Sequence, residues 1–120
     1  MAGLTVIKRD PFKRGDTPVF RYEFEPPYVG YDWSTVLLDC ALTSVDEPTD
    51  NAAAAAVRLN QALTVNPDGT AYYLFQLTHA ESLTLVPDDT YRDECQLKEG
   101  GTNYLTPIQG ETVIAQDYVI

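Results

Sequence analysis

Short runs of alternating apolar and polar residues recur along the chain, and proline, glycine or acidic residues separate them. In the run PVFRYEFE, the aromatic residues Phe20, Tyr22 and Phe24 fall on one face, and Val19 and Arg21 on the other. The runs VLLDCALT and YRDECQLK repeat the alternation. Because successive side chains of a β-strand point to opposite faces, this pattern predicts strands with one buried face.

The remaining alternating runs predict further strands at 4–7, 70–77, 104–108 and 111–120. The sequence NPDG at 66–69 is a strong turn signal. Thr78 followed by Glu81 matches a capping box and predicts a single helical turn. The chain therefore predicts seven to nine short strands with at most one or two short helical turns, spaced as in a β-sandwich.

The alanine run 52–56 is ambiguous. Alanine has the highest helix propensity, and Asp50 and Asn51 before the run suit a helix cap. Val57, Leu59 and the later LTV suit strands that flank a bend. We favour extended structure with an irregular insertion, and the conformation of the run stays open at this point.

Each of the two cysteines lies inside an alternating run that begins at an aromatic residue. Cys40 follows Trp33, and Cys95 follows Tyr91. This placement predicts that both thiols face one sandwich core, close to Trp33 and Tyr91. No secretory signal precedes the runs, so folding in a reducing cytoplasm favours free thiols, although a bridge between the two remains an alternative.

The order of motifs resembles a phage structural Ig-like (immunoglobulin-like) domain, of the kind found at the N-terminus of phage baseplate upper proteins. Four segments carry the resemblance: KRGDTPVFRYEF (13–24), YDWSTVLLDCALTS (31–44), the central block 66–97, and TPIQGETVIAQDYVI (106–120). The usual glycine before the tyrosine strand is replaced by Asp88 and Asp89. The resemblance implies an all-β, antiparallel Ig-like sandwich over 15–120, with 1–14 as an N-terminal arm or first strand. It also implies a virion component, and it supplies no catalytic residues.

Acidic residues dominate the charge. Eighteen acids against eight basic residues give a formal net charge of −10. Nucleic acids and anionic membranes repel such a surface, so neither is an expected partner. Half of the basic residues form one cluster near the N-terminus: Lys8, Arg9, Lys13 and Arg14. We expect this cluster to engage an acidic neighbour, and the loop tyrosines Tyr28, Tyr31 and Tyr104 to supply aromatic anchors.

Candidate catalytic and metal-binding groups are sparse. His79 is the single histidine, and it has no second nitrogen ligand with which to build a zinc site. The acidic clusters around Asp46 and around Asp88 to Glu94, which includes Asp93, lack calcium-loop spacing and are expected to be solvated. We therefore expect no enzyme activity, no metal and no cofactor.

Two classes of function fit these patterns. The first is a bacteriophage virion structural protein, made in the host bacterial cytoplasm, that forms homo-oligomers in the particle and binds other virion proteins. It would serve as a capsid decoration (cement) subunit or as a tail, neck or baseplate subunit. The alternative is an Ig-like module of the particle that binds a receptor or a carbohydrate.

Overall fold

The computed structural model describes residues 5–46, 54–99 and 102–115. Its strands are β1 (Thr5–Lys8), β2 (Phe12–Lys13), β3 (Val19–Phe24), β4 (Val36–Ser44), β5 (Ala56–Ala62), β6 (Thr64–Val65), β7 (Ala71–Gln76), β8 (Thr90–Glu99) and β9 (Thr102–Ala115). A 3-10 turn (Trp33–Thr35) precedes β4, and a short helix α1 (His79–Leu83) follows β7. Ala52 and Ala53 of the alanine run lie outside the described residues, Ala54 and Ala55 are not helical, and Ala56 opens β5.

Two sheets pack face to face. The larger has the order β1-β9-β8-β4-β5, with β2 also paired to β9, and the smaller has the order β3-β7-β6. Pairing is antiparallel except that β1 and β2 run parallel to β9. The predicted all-β Ig-like sandwich with seven to nine strands is therefore confirmed.

The core lies between the two inner faces, where the alternation placed it. β3 alternates strictly, with Phe20, Tyr22 and Phe24 buried and the residues between them exposed. Seven of the nine residues of β4 likewise alternate between buried and half-buried, from Val36 to Leu42. The predicted alternation holds here because only one face of each strand packs against the core. Every second side chain therefore enters the core.

The C-terminal strand differs from the prediction. The strands expected at 104–108 and 111–120 are one continuous strand, β9, and 116–120 lie outside the described residues. Pro107 lies within this strand, although proline cannot donate a ladder hydrogen bond. The pairing of β9 with β8 shifts register between Cys95 and Leu97, opposite this proline. The irregularity absorbs the missing donor and lets the strand continue.

The N-terminal segment is part of the sheet, with β1 at the place of the strand predicted for 4–7. Thr5 to Lys8 pair with Ile108 to Glu111, and Phe12 with Ile114. The Arg9 amide also donates to the Glu111 carbonyl at 2.9 Å. These pairings cover the outer edge of β9 and make residues 5–13 an edge of the sandwich.

A tyrosine corner opens β8. The Tyr91 hydroxyl accepts a hydrogen bond of 3.1 Å from the backbone amide of Val86, which lies five residues earlier in the chain. In immunoglobulin domains the residue two positions after this tyrosine is the second cysteine of the disulfide between the sheets. Here that residue is Asp93, which is fully buried. The prediction that Asp93 is a solvated acid is therefore wrong.

Asp93 holds a buried polar network at this position. The Tyr22 hydroxyl of β3 donates to Asp93 Oδ2 at 2.7 Å, which links the two sheets. Arg9 donates twice to the same carboxylate, from Nε at 2.8 Å and Nη2 at 3.0 Å. The Arg9 guanidinium also lies 5.2 Å from the centre of the Phe20 ring. A buried carboxylate needs such partners, because an unpaired charge in the core is strongly destabilising.

A second ion pair joins the sheets at the opposite side of the sandwich. Arg58 on β5 donates to both carboxylate oxygens of Glu81 in α1, at 2.7 and 2.8 Å, and to the Gln76 carbonyl of β7. Glu81 also completes the predicted capping box with Thr78. Chiefly through its hydrogen bonds with Arg58, the pKa of Glu81 falls from 4.5 to about 2.

We expect Glu81→Gln to destabilise the protein at neutral pH, with the difference from wild type shrinking as pH falls. Because the folded-state pKa of Glu81 is depressed, its stabilisation is present above pH 4.5 and is lost as pH falls toward 2. Urea unfolding of both proteins at a series of pH values measures this. Glu23→Gln is the matched control, since its pair with Arg21 is solvent-exposed and contributes little. If the free energies of unfolding of Glu81→Gln and wild type differed by the same amount at all pH values, the depressed pKa assigned to Glu81 would be contradicted.

Candidate interaction site

The loop between β3 and the 3-10 turn presents exposed apolar side chains at one end of the sandwich. We call residues 26–31 the tip loop. Tyr28 is 64% exposed and Val29 is completely exposed, at 101%. The Tyr31 amide donates to the Tyr28 carbonyl, and Gly30 has φ of 80°, a left-handed conformation that suits glycine. Together with two prolines, this turn restricts the backbone that carries the exposed residues.

An aromatic chain connects the tip loop to the core. The Tyr28 and Tyr31 rings meet edge to face with centroids 5.3 Å apart, and Tyr31 meets Trp33 in the same way at 4.9 Å. Trp33 is buried beside Phe24, and its indole N–H donates to the Gly69 carbonyl at 2.9 Å. The exposed tyrosine therefore rests on a rigid support, which reduces the ordering entropy that binding costs.

A hollow of about 390 Å³ lies beside this aromatic chain. Apolar side chains form much of its wall, among them Val65, which is 52% exposed. Tyr31 and Trp33 form the side next to the tip loop, and the Asp32 carboxylate stands at the same wall. The tip loop and the hollow form one continuous surface with apolar and acidic groups.

The end of the sandwich that carries the tip loop is acidic. Four exposed acids surround it, namely Glu25, Asp32, Asp68 and Glu99, whereas the segments 25–35 and 62–70 contain no lysine or arginine. Hydrogen bonds from the Ser34 side chain and amide lower the pKa of Asp32, and those from Thr70 lower the pKa of Asp68. Both carboxylates therefore remain charged in mildly acidic solution.

The predicted basic cluster lies toward the other end of the sandwich, and its four residues do not share one role. Lys8, Lys13 and Arg14 are exposed, as predicted for a contact surface. Arg9 is not available as an interface residue, because its charge is committed to buried Asp93. A groove of about 450 Å³, which we call the arm groove, lies between residues 7–12 and 18–20.

The structure thus separates the predicted interface residues into two surfaces. Tyr28 and Tyr31 meet at the tip loop, with Tyr31 half-buried. The exposed lysines and Arg14 belong to the opposite region of the sandwich. Tyr104 belongs to β9, and its side chain lies outside the described part of the structure.

The predicted core residues are all buried: Trp33, Cys40, Tyr91 and Cys95. Cys40 and Cys95 face each other directly across β4 and β8, and both are free thiols. All four residues belong to one hydrophobic core cluster. Trp33 precedes the first residue of β4, whereas Tyr91 pairs with Ser44 at the last, so the cysteines lie midway between them.

We expect both thiols to react slowly with iodoacetamide in the folded protein and rapidly in denaturant. Burial is the main cause that raises the pKa of Cys95 to about 12 and that of Cys40 further, so little reactive thiolate exists at neutral pH. Mass spectrometry of the alkylated chain counts the labels. Rapid native labelling would contradict the burial, and failure to label in denaturant without reductant would show a bridge.

Other candidate chemistry stays dispersed. His79 is exposed, and its Nδ1 lies 2.6 Å from the Gly15 carbonyl oxygen, so this nitrogen carries the proton. Within the three described ranges, no three histidine, cysteine or acidic side chains are grouped to hold a metal ion. No helix in these ranges is long and apolar enough to span a membrane.

Comparison with known proteins adds no relative. No protein-family model matches the chain, and no curated protein matches it in sequence.

Proposed function

We propose that this protein is a non-enzymatic structural subunit of a bacteriophage particle that binds other virion proteins through its tip loop. The observation that carries the binding role is the solvent-exposed pair Tyr28 and Val29. The virion context rests on the sequence resemblance to phage Ig-like domains. Capsid decoration and tail, neck or baseplate positions both suit such a module.

The tip loop has the properties of an interface anchor. Tyrosine offers a large contact area with few rotatable bonds, and anchors of this kind dominate measured binding energies. A fully exposed valine on a proline-bounded turn gains no packing within the described chain. Its burial against a partner would remove apolar surface from water, which favours association.

A carbohydrate-binding role has weaker support. Sugar platforms present the face of an aromatic ring to solvent, whereas the single tryptophan, Trp33, is 6% exposed. Its indole N–H is also occupied by the Gly69 carbonyl. The Tyr28 and Tyr31 rings meet edge to face, so the two rings do not form one flat aromatic platform.

Mass spectrometry of gradient-purified particles of the encoding phage tests the proposal. We expect the chain at a fixed copy number relative to the major structural proteins, together with no binding on a glycan array. Absence from purified particles would overturn the virion role. Specific glycan binding by the free protein would favour the receptor-binding alternative.

A further inference from the structure

We propose that two copies of this chain pair antiparallel through the free edge of β3, which joins their smaller sheets into one continuous sheet. The smaller sheet has the order β3-β7-β6, so one edge of β3 pairs with no described strand. An open strand edge binds a further strand through main-chain hydrogen bonds. This surface is separate from the tip loop, so the contact does not depend on the proposed function.

The hydrogen-bonding pattern shows which backbone groups of β3 are free. The Leu77 amide donates to the Pro18 carbonyl at 3.1 Å, just before Val19 pairs with Gln76. Because bonded and non-bonded pairs alternate along an antiparallel ladder, the even-numbered residues of β3 bond to β7. The N–H and C=O groups of the odd-numbered residues, 19, 21 and 23, therefore point away from β7. No backbone hydrogen bond from another described residue reaches them.

β3 is the most regular of the free strand edges in the described chain. Its six residues alternate strictly between exposed and buried, with no proline and no left-handed residue among them. By contrast β5, at the edge of the larger sheet, contains Asn60 with φ of 57° and pairs with β4 through a register shift. β6 has two residues and β1 has four. Since short or irregular edges resist further pairing, β3 is the best template for an added strand.

Charge selects a second β3 strand as the partner and fixes its register. The free backbone groups belong to the odd-numbered residues, so these residues face one another across the contact. In the register centred on Tyr22, Arg21 of each copy lies opposite Glu23 of the other. Both side chains are available, since they are 46% and 66% exposed. Registers centred on Arg21 or on Glu23 place like charges directly opposite each other, which is destabilising.

The favoured register also determines the form of the assembly. Arg21 and Glu23 already pair within one copy, so the dimer carries four charges of alternating sign on its outer face. The two central pairs exchange about four main-chain hydrogen bonds. The same surface is used by both copies, so the contact is isologous and closes at a dimer. Antiparallel pairing places the two tip loops at opposite ends of this dimer.

Sedimentation velocity with charge variants tests the contact. At physiological ionic strength, which screens the repulsion between acidic copies, we expect wild type to form dimers and nothing larger as its concentration rises to about 1 mM. Arg21→Glu and Glu23→Arg should each dimerise at least about tenfold more weakly, because each places like charges opposite each other. An equal mixture of the two variants should recover dimers, because one variant then presents two acids to two arginines of the other.

Hydrogen exchange tests the register. The Arg21 and Glu23 amides should exchange more slowly as dimers form, whereas the Tyr22 amide, which is already bonded to β7, should not change. Lys13→Glu is the matched control, since it alters the net charge as Arg21→Glu does but lies outside β3. This control should dimerise like wild type.

Four results would each overturn the pairing through β3: a monomeric wild type, single variants that dimerise as tightly as wild type, a mixture that stays monomeric, or dimers in which exchange of the Arg21 amide is unchanged. Tyr28→Ser combined with Val29→Ser should leave dimerisation intact, and loss of dimers in this variant would assign the contact to the tip loop instead. Incorporation of the same variant into particles tests the proposed function alone, so the two ideas fail separately.

Discussion

Asp93→Ala is expected to lower the free energy of unfolding by about 3–5 kcal/mol, the loss typical when one member of a buried ion pair is removed. The substitution leaves the Arg9 guanidinium, whose side chain is 14% exposed, without its carboxylate partner. It also leaves the fully buried Tyr22 hydroxyl without an acceptor. Chemical denaturation at neutral pH measures the change. A loss below about 1 kcal/mol would contradict the assigned network.

Two further variants separate the contributions. Tyr22→Phe removes one hydrogen bond to a charged group, so we expect a loss of about 1.5–3 kcal/mol. Arg9→Met with Asp93→Leu replaces the pair by apolar side chains and should cost much less than the two single changes together. Additive losses would show that Arg9 and Asp93 act independently.

Gly110→Ala is expected to destabilise the protein by about 3 kcal/mol, through overpacking and disruption of the same ion pair. Gly110 pairs with Asp93 across β9 and β8. A Cβ atom at this position would overlap Arg9 Nε and Asp93 Oδ1, and would lie 3.0 Å from Asp93 Cγ. Glycine is required here for space rather than for backbone conformation, since its φ lies outside the left-handed region.

The Asp93→Ala background provides the control for this glycine. There the carboxylate is absent and the flexible Arg9 side chain, no longer held by it, can move away from the added Cβ, so adding Gly110→Ala should cost under about 1 kcal/mol more. Denaturation of the two single variants and the double variant completes the cycle. An equal cost of Gly110→Ala in both backgrounds would show that the glycine serves a different purpose.

The alternation of apolar and polar residues predicted the strands and their buried faces. A strand that is buried on one face has an apolar residue at every second position, and this is visible in the sequence. The same alternation placed Asp93 on the inner face with Tyr91 and Cys95, but its residue type suggested a solvated acid. Its main partner, Arg9, lies 84 residues away along the chain. Local patterns carry no information about such a pairing, so the network became visible only in the fold.

The candidate site was predicted in part. The prolines and glycine of EPPYVGYD indicated a loop, and its tyrosines indicated a contact surface; Tyr28 is exposed as expected. The sequence grouped Lys8, Arg9, Lys13 and Arg14 by proximity alone. In the fold, parallel pairing with β9 brings Arg9 into the core, while the neighbouring lysines stay at the surface. Charge clustering along a chain does not reveal which side chains a later strand will bury.

A competition during particle assembly tests whether the tip loop makes this protein a binding module. Wild type and the Tyr28→Ser, Val29→Ser variant would be supplied in equal amounts, and their ratio in purified particles measured from their tip-loop peptides. Both positions are exposed, so the variant should match wild type in unfolding free energy to within about 0.5 kcal/mol. We expect wild type to predominate in the particles by at least about tenfold, the effect of losing anchor residues. Equal incorporation of the two proteins would contradict the account.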